Sequence, residues 1–297
     1  MFEALNNLIE NEVRELKLDF YSVIIGRTTS KGARSPKLWN KVYEREKKRI
    51  RMIPLDVKDE NFEIVFKYLK EDKHCLGGAV AVPYKEKLCS LIKDNLQKEI
   101  KNIGAVNCFY RPTSDHLMKK RFTGTNTDGE AALEPITEYL KKNENLSICL
   151  LGFGGAGKAI LAFLFKDYEK KHRIHLFNRS PVSIKDTNTA RVSAYSLNEI
   201  DTYLPHFDLV INATSVGHAE NAQATPVPIK LLKKAKKTIL VYDIIYDPIK
   251  TTLLKNSEEL GLWNINGLRM NLIQAVLAYS YTNKTKLSLD EIYSIMG

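Results

Sequence analysis

The sequence predicts an α/β protein of two domains, each built on a mainly parallel open sheet, and three observations predict it. Short apolar runs alternate with amphipathic helical stretches along most of the chain, the pattern of strands joined by crossover helices. At residues 149–158 an apolar strand runs directly into a glycine turn that opens a helix, a junction built to hold a phosphate. At 297 residues the chain is also long enough to bury two cores.

Taken in order, an acidic, amphipathic helical stretch at 1–18 precedes a strand at 20–25, a helix from Pro36, a strand near 51–54, a helix near 62–70 and a strand at 79–82. Pro83 suits the first turn of a further helix, and short strands at 105–110 and 121–123 complete the first half. Near Asp128 a long helix begins. After residue 143 the phosphate-binding unit takes over, with strands at 148–151, 174–177, 209–212 and 239–242, and helices at 268–281 and 289–296 close the chain. The expected division is a substrate domain at 1–127 completed by helices 268–297, and a Rossmann-type dinucleotide-binding domain at 128–267.

In the glycine turn, Gly152 permits the tight bend, Gly154, Gly155 and Ala156 let the backbone approach a pyrophosphate, and Gly157 lets the helix lie against its strand. The anion then meets free N–H groups at the positive end of the helix. The strand at 173–177 closes a βαβ unit at the spacing of a dinucleotide site. Beyond it stands Asn178-Arg179-Ser180, with Lys185 a few residues on and no acid at the tip. An NAD ribose is usually met here by an acid, whereas a 2′-phosphate needs a cation that forks onto its oxygens. NADP is therefore the expected cofactor, and a solvated loop arginine is the alternative reading.

Composition sets further limits. The formal net charge of +10 reads as a general field that draws in anionic small molecules rather than as a nucleic-acid footprint. The densest basic run, 41–51, contains Glu44 and Glu46 and sets Leu38, Val42 and Ile50 at roughly helical spacing, as on a helix with one solvated face. Neither a bilayer-spanning run nor a signal-peptide pattern is present, so a cytoplasmic protein is expected, without nucleic acid or membrane as partner. Cys75, Cys89, Cys108 and Cys149 are widely spread, with no paired metal spacing, and read as reduced core thiols. No metal is expected.

Two polar residues stand where strands end. Lys85 lies just after an apolar strand and Pro83, and Asp128 lies in a turn of short polar residues and glycines. Taken singly, they read as a surface lysine and a helix cap. Together with other segments they gain meaning: Val82-Pro83-Tyr84-Lys85-Glu86, Ile103-Gly104-Ala105-Val106-Asn107, Gly124-Thr125-Asn126-Thr127-Asp128-Gly129, the glycine turn, Asn178-Arg179-Ser180, Ile211-Asn212-Ala213-Thr214-Ser215-Val216-Gly217, Asp243-Ile244-Ile245-Tyr246-Asp247-Pro248, and Gly267-Leu268-Arg269-Met270-Asn271-Leu272-Ile273-Gln274-Ala275. In this order, the set resembles the shikimate dehydrogenase family from about residue 20 to the end.

The resemblance implies NADP-dependent interconversion of 3-dehydroshikimate and shikimate, an oxidoreductase step of aromatic amino-acid biosynthesis. By the same resemblance, Lys85 and Asp128 are the catalytic pair, and Ser35, Asn107, Tyr246 and Gln274 contact the substrate. Thr214, Ser215 and Gly267 join the glycine turn and the Asn178-Arg179-Ser180 loop in holding the cofactor. Reduction of a ketone requires a proton for the oxygen as negative charge builds there, which an ammonium can supply. Cofactor and substrate are expected in a cleft whose closure excludes water, in a monomer or homodimer.

Departures from the family pattern concern the substrate. Ala33-Arg34-Ser35-Pro36 stands for Ser-Lys-Ser-Pro, so one carboxylate donor is missing or moved, and the hydroxyls available to replace it belong to Thr28, Thr29 and Ser30. Ala79 and Ala81 replace an asparagine and a threonine, which is expected to leave room and fewer hydrogen bonds. His218 stands where a methionine is common, with no partner evident from the sequence. These changes keep two alternatives open: a dehydrogenase of the same fold for quinate or another cyclic polyol acid, and a dinucleotide-binding regulator without turnover.

Overall fold

Each sheet grows outward from a central buried strand, as parallel strands covered on both faces must. In the computed structural model, residues 2–14, 17–112, 121–168, 171–180 and 191–297 are described, and the chain divides into Met1–Thr127 with Leu272–Gly297 as one unit and Asp128–Asn271 as the other. Leu268–Asn271 belong to the second unit, and the helix Leu268–Thr282 continues into the first. Lys185 lies outside the described residues.

The first unit contains β1 (Phe20–Gly26), β2 (Ile50–Asp56), β3 (Cys75–Val80), β4 (Cys108–Tyr110) and β5 (Thr123–Thr125), in the order β2-β1-β3-β4-β5. β1 pairs in parallel with both β2 and β3, while β4 and β5 add an antiparallel edge. The chain reverses its direction of growth between β1 and β3, so their carboxyl ends frame a crevice. β3 begins earlier than expected because Gly77 and Gly78 belong to it. Gly77 has φ +119°, and a Cβ there would lie 2.2 Å from the Phe109 carbonyl oxygen, so glycine marks a close backbone approach rather than the end of a strand.

The basic run forms the helix Ser35–Arg45, with Leu38, Trp39, Val42 and Tyr43 buried and the charges outside. Ile50 does not continue that face. The helix ends, Lys47 takes φ 55°, and Ile50 opens β2. At the N-terminus, the helical reading of 1–18 holds, among the described residues, only for Glu3–Asn6. The following residues run along β2, with Asn11 Nδ2 donating to the Pro54 carbonyl at 3.0 Å. Phe2 meets Tyr21 edge-on at 5.1 Å, so this segment packs on the first unit.

The second sheet contains β6 (Ser147–Leu151), β7 (Arg173–Asn178), β8 (Val192–Ser196), β9 (Leu209–Asn212), β10 (Leu240–Asp243) and β11 (Trp263–Ile265), in the order β11-β10-β9-β6-β7-β8, all parallel. Its topological switch lies between β6 and β9. The edge strands β8 (Val-Ser-Ala-Tyr-Ser) and β11 (Trp-Asn-Ile) carry no continuous apolar run of strand length, which hides them from sequence periodicity. The long helix expected from Asp128 is instead Asp128–Leu133 and Thr137–Lys142, separated by a 3₁₀ turn at Glu134–Ile136. Pro135 interrupts the helical hydrogen bonding there.

The four cysteines are free and buried, and burial pushes the Cys75 thiol up to about 12. In the second unit, half-buried His175 packs against Tyr195 at 5.9 Å and Phe207 at 5.3 Å. Its Nδ1 has no hydrogen-bond partner among the described residues. Burial, with Arg173 adding repulsion, holds its pKa below the ordinary histidine value. A depressed folded-state pKa means that stability is full above the unfolded value of about 6.5 and is lost as pH falls toward the folded value. His175→Phe is therefore expected to flatten the decline of Tm on acidification below about pH 6.5. Thermal melts across that range check it, and an unchanged acid slope would contradict it.

Candidate active site

Two sets of polar residues gather at the carboxyl ends of the two sheets, one in each unit. In the first unit, β3 ends at Val80 and the helix Lys85–Leu91 follows. Tyr84 anchors this turn: it is fully buried, its hydroxyl donates to the Val57 carbonyl at 2.5 Å, and its ring stacks on Phe62 at 4.4 Å. Lys85 comes next, half-exposed, and its backbone carbonyl accepts from the Val106 N–H at 2.9 Å. That bond brings Lys85 beside Asn107.

Asn107 is buried and its amide is held at both ends by Thr127. Its Nδ2 donates to Thr127 Oγ1 at 2.9 Å, and its Oδ1 accepts from the Thr127 N–H at 2.8 Å. Thr127 Oγ1 donates onward to the backbone carbonyl of Gln274 at 3.1 Å. Next to Gln274, the Ala275 carbonyl accepts from Trp39 Nε1 at 3.1 Å, which ties this helix to Ser35–Arg45. Lys85, Asn107 and Gln274 are thus joined through Val106 and Thr127, with Ser35 one turn before Trp39. Ser35 is buried and opens its helix, with the cap position on Arg34.

The substitutions expected to empty the substrate pocket have a different effect. Ala79 is 5% exposed and belongs to an apolar cluster with Trp39, Cys108, Ala275 and Tyr279. An apolar side chain is at home there. Ala81 packs against the same cluster, and a Cβ on Gly26 would stand 3.0 Å from its own. Two of the three replacement hydroxyls, those of Thr29 and Ser30, are committed as well. Thr29 Oγ1 donates to Asp56 Oδ1 at 3.1 Å, the Ser30 N–H donates to the same oxygen at 2.8 Å, and Ser30 Oγ donates to Asp56 Oδ2. Asp56, invisible as a feature in the sequence, organises this loop.

In the second unit, Gly152 takes φ +93°, and a Cβ on Gly157 would lie 2.1 Å from the Gly152 carbonyl oxygen. Only glycine fits either position. Around Gly154, by contrast, nothing lies within 4 Å of a Cβ position, so the turn is open where a phosphate would approach. The helix Gly155–Tyr168 presents its N-terminus there. Asn178 connects the turn to the next loop: its Oδ1 accepts from the Phe153 N–H at 3.2 Å and its Nδ2 donates to the Ser180 carbonyl at 3.0 Å. Arg179 is exposed. The donor set therefore fits a dinucleotide carrying a phosphate beyond β7.

Across the switch point, Thr214 and Ser215 follow β9, and Thr214 lies against Gly152. Gly267 precedes the helix Leu268–Thr282, and a Cβ there would lie 1.9 Å from the Ile244 carbonyl oxygen. His218, without an evident partner in the sequence, meets Tyr246 edge-on at 6.5 Å. Asp128 is 4% exposed at the start of its helix.

The family described as shikimate dehydrogenase substrate binding domain matches residues 24–109. The chain is 34% identical over 224 residues to the shikimate dehydrogenase (NADP(+)) of Bacillus licheniformis, covering 74% of this chain and 76% of that one. The chain belongs to the shikimate dehydrogenase family. Its Pyrococcus abyssi relative, also named shikimate dehydrogenase (NADP(+)), is 34% identical over 206 residues, covering 68% of this chain and 70% of that one. The crystal structure of the shikimate dehydrogenase from Aquifex aeolicus superposes with a TM-score of 0.76 at 24% identity, covering 96% of this chain and 98% of that one. That likeness shows the fold.

No helix among the described residues is long and apolar enough to cross a membrane. Sequence reading missed Tyr84, Thr127, Trp39 and Asp56. Tyr84 and Thr127 adjoin motif residues, a signal that could have found them. Trp39 and Asp56 act through contacts distant in sequence.

Proposed function

We propose that this shikimate dehydrogenase family member catalyses the reversible, NADP-dependent reduction of 3-dehydroshikimate to shikimate, a step of the shikimate pathway. The observation that carries the reading is the link from Lys85 through Val106 to Asn107 and on through Thr127 to Gln274, in the unit whose family description is substrate binding. The names of the relatives support the same activity and cofactor.

Lys85 Nζ gives its proton to the carbonyl oxygen as that oxygen becomes a hydroxyl, and takes it back in the oxidative direction. Before the transfer, its charge stabilises the growing alkoxide. Asp128 is the carboxylate of the catalytic pair. Asn107, pre-oriented by Thr127, and Gln274 bond ring hydroxyls, and Ser35 and Tyr246 recognise the carboxylate. Gly152, Gly154, Gly155, Ala156 and Gly157 receive the pyrophosphate, with Thr214, Ser215 and Gly267 along the groove and Asn178 and Ser180 shaping the loop of Arg179. When bound as NADPH, the cofactor supplies the hydride. We further propose a cytoplasmic monomer or homodimer with no nucleic-acid role, in which the unit of 1–127 completed by 272–297 holds the substrate and the unit of 128–271 holds the cofactor.

Arg179 carries the cofactor preference in this reading, because a guanidinium forks onto the 2′-phosphate and gains little from a bare ribose. Arg179→Ala is expected to raise the KM for NADP roughly 10- to 100-fold, the loss of charge-assisted bonds, with little change for NAD. Initial rates with both cofactors check it, and equal effects on both would refute the assignment. The activity itself is tested by consumption of NADPH with 3-dehydroshikimate. Folded protein that binds NADPH yet shows no turnover would overturn the catalytic reading.

A further inference from the structure

The turn at 213–217 lacks regular structure, yet a chain of hydrogen bonds, buried at Asp243 and part-buried at Thr214, holds it. The chain starts at Asp243, which is fully buried at the end of β10 and pairs in register with Asn212 at the end of β9. Asp243 Oδ2 accepts from Thr251 Oγ1 at 2.7 Å, and its Oδ1 accepts from the Ile245 N–H at 3.1 Å and from Asn212 Nδ2 at 3.0 Å. The last bond decides which way the Asn212 amide points. With its nitrogen toward Asp243, its oxygen faces Thr214, accepting from the Thr214 N–H at 3.0 Å and from Thr214 Oγ1 at 2.7 Å.

Thr214 Oγ1 then accepts from the Val216 N–H at 3.1 Å. The end of the chain is the glycine turn, where a Cβ on Gly152 would lie 2.8 Å from Thr214 Cγ2 and 3.1 Å from its backbone nitrogen. Burial pushes the Asp243 carboxyl up, and its three donors oppose that shift. Those donors are neutral, so this acid is held by hydrogen bonds. An amide can present either end, and reversal at Asn212 would set its NH₂ against the Thr214 N–H, donor against donor. A carboxylate has no donor and forbids that reversal.

We infer that Asp243 is a positioning residue for cofactor binding: by fixing the Asn212 amide it sets Thr214 against the glycine turn. This rests on the reading of that turn as the dinucleotide site. The effect is on NADPH binding in the absence of any substrate. Asp243→Ala frees the Asn212 amide, whereas Asp243→Asn can still accept from Asn212 and Ile245 with its oxygen and donate to Thr251, so it retains the chain.

The test is NADPH titration by fluorescence, with Tm and the KM and kcat for NADPH measured alongside. Asp243→Ala is expected to weaken NADPH on the order of tenfold, as loss of a buried hydrogen-bonded partner does, with the change in KM for NADPH exceeding that in kcat. Asp243→Asn is expected to restore binding to within about threefold of wild type. Lower Tm with wild-type NADPH affinity in Asp243→Ala would overturn the inference. If that variant does not fold, Asn212→Ala and Thr214→Val carry the test: the double variant is expected to lose no more than the stronger single one, and additive losses overturn the proposal. Failure of the wild-type protein to bind NADPH would refute the cofactor reading instead.

Discussion

Lys85→Met is expected to lower kcat by a factor of about 10² to 10⁴, the usual contribution of a positioned proton donor, while NADPH binding and Tm stay near wild type. The fold gives the reason for the separation. The turn that presents Lys85 is anchored by the buried Tyr84 ring, its hydroxyl bond to Val57 and the Val106 bond to the Lys85 carbonyl. None of these involves the ammonium. Methionine keeps the unbranched apolar stem, one atom shorter, and removes the ammonium with its charge and proton. Steady-state rates with 3-dehydroshikimate and NADPH, beside fluorescence titration of NADPH, make the comparison. Retention of wild-type kcat would remove Lys85 from the mechanism.

The second large effect is expected at Gly157. A Cβ there would meet the Gly152 carbonyl oxygen at 2.1 Å and its carbon at 3.0 Å, both backbone atoms of the phosphate turn. Relief requires the helix Gly155–Tyr168 to move off β6 or the turn to open. Overpacking of this kind costs about 1–3 kcal/mol, so Gly157→Ala is expected to lower Tm by several degrees, at roughly 2–4 °C per kcal/mol, and to weaken NADPH at least about tenfold. Gly154→Ala is the paired control, because nothing lies within 4 Å of its Cβ position. It is expected to keep the wild-type Tm and still weaken NADPH, since the new methyl stands where the phosphate approaches. Wild-type NADPH affinity in both variants would refute the assignment of this turn to the cofactor.

The glycine turn was legible because its chemistry is local. A strand, a bend that needs positive φ at Gly152 and a helix that must approach at Gly157 follow one another within a few residues. The core face of the helix Ser35–Arg45 was legible for the same reason, through its helical spacing. What the sequence hid depends on distant partners. Ala79 looks like a hole in a polar pocket until it is seen buried in the apolar cluster that holds Trp39 and Tyr279. Thr29 and Ser30 look available until Asp56 claims both. The expected strand at 79–82 starts after Gly77 and Gly78 because the Phe109 and Val23 backbones that require glycine there come from other strands. Asp243, within a motif quoted for its tyrosine, gains its role only through register with Asn212.

These contacts bear on the substrate. With Ala79 serving the core, that change removes less from the pocket than its chemistry suggests, which favours the ring hydroxyl pattern of shikimate over a rebuilt ligand. The most direct measurement is a set of initial rates for shikimate and quinate, each with NADP and with NAD. Shikimate with NADP is expected to exceed every other pair in kcat/KM by at least about tenfold, the discrimination that one unmatched polar contact supplies. Faster turnover of quinate, or of either acid with NAD, would contradict the account.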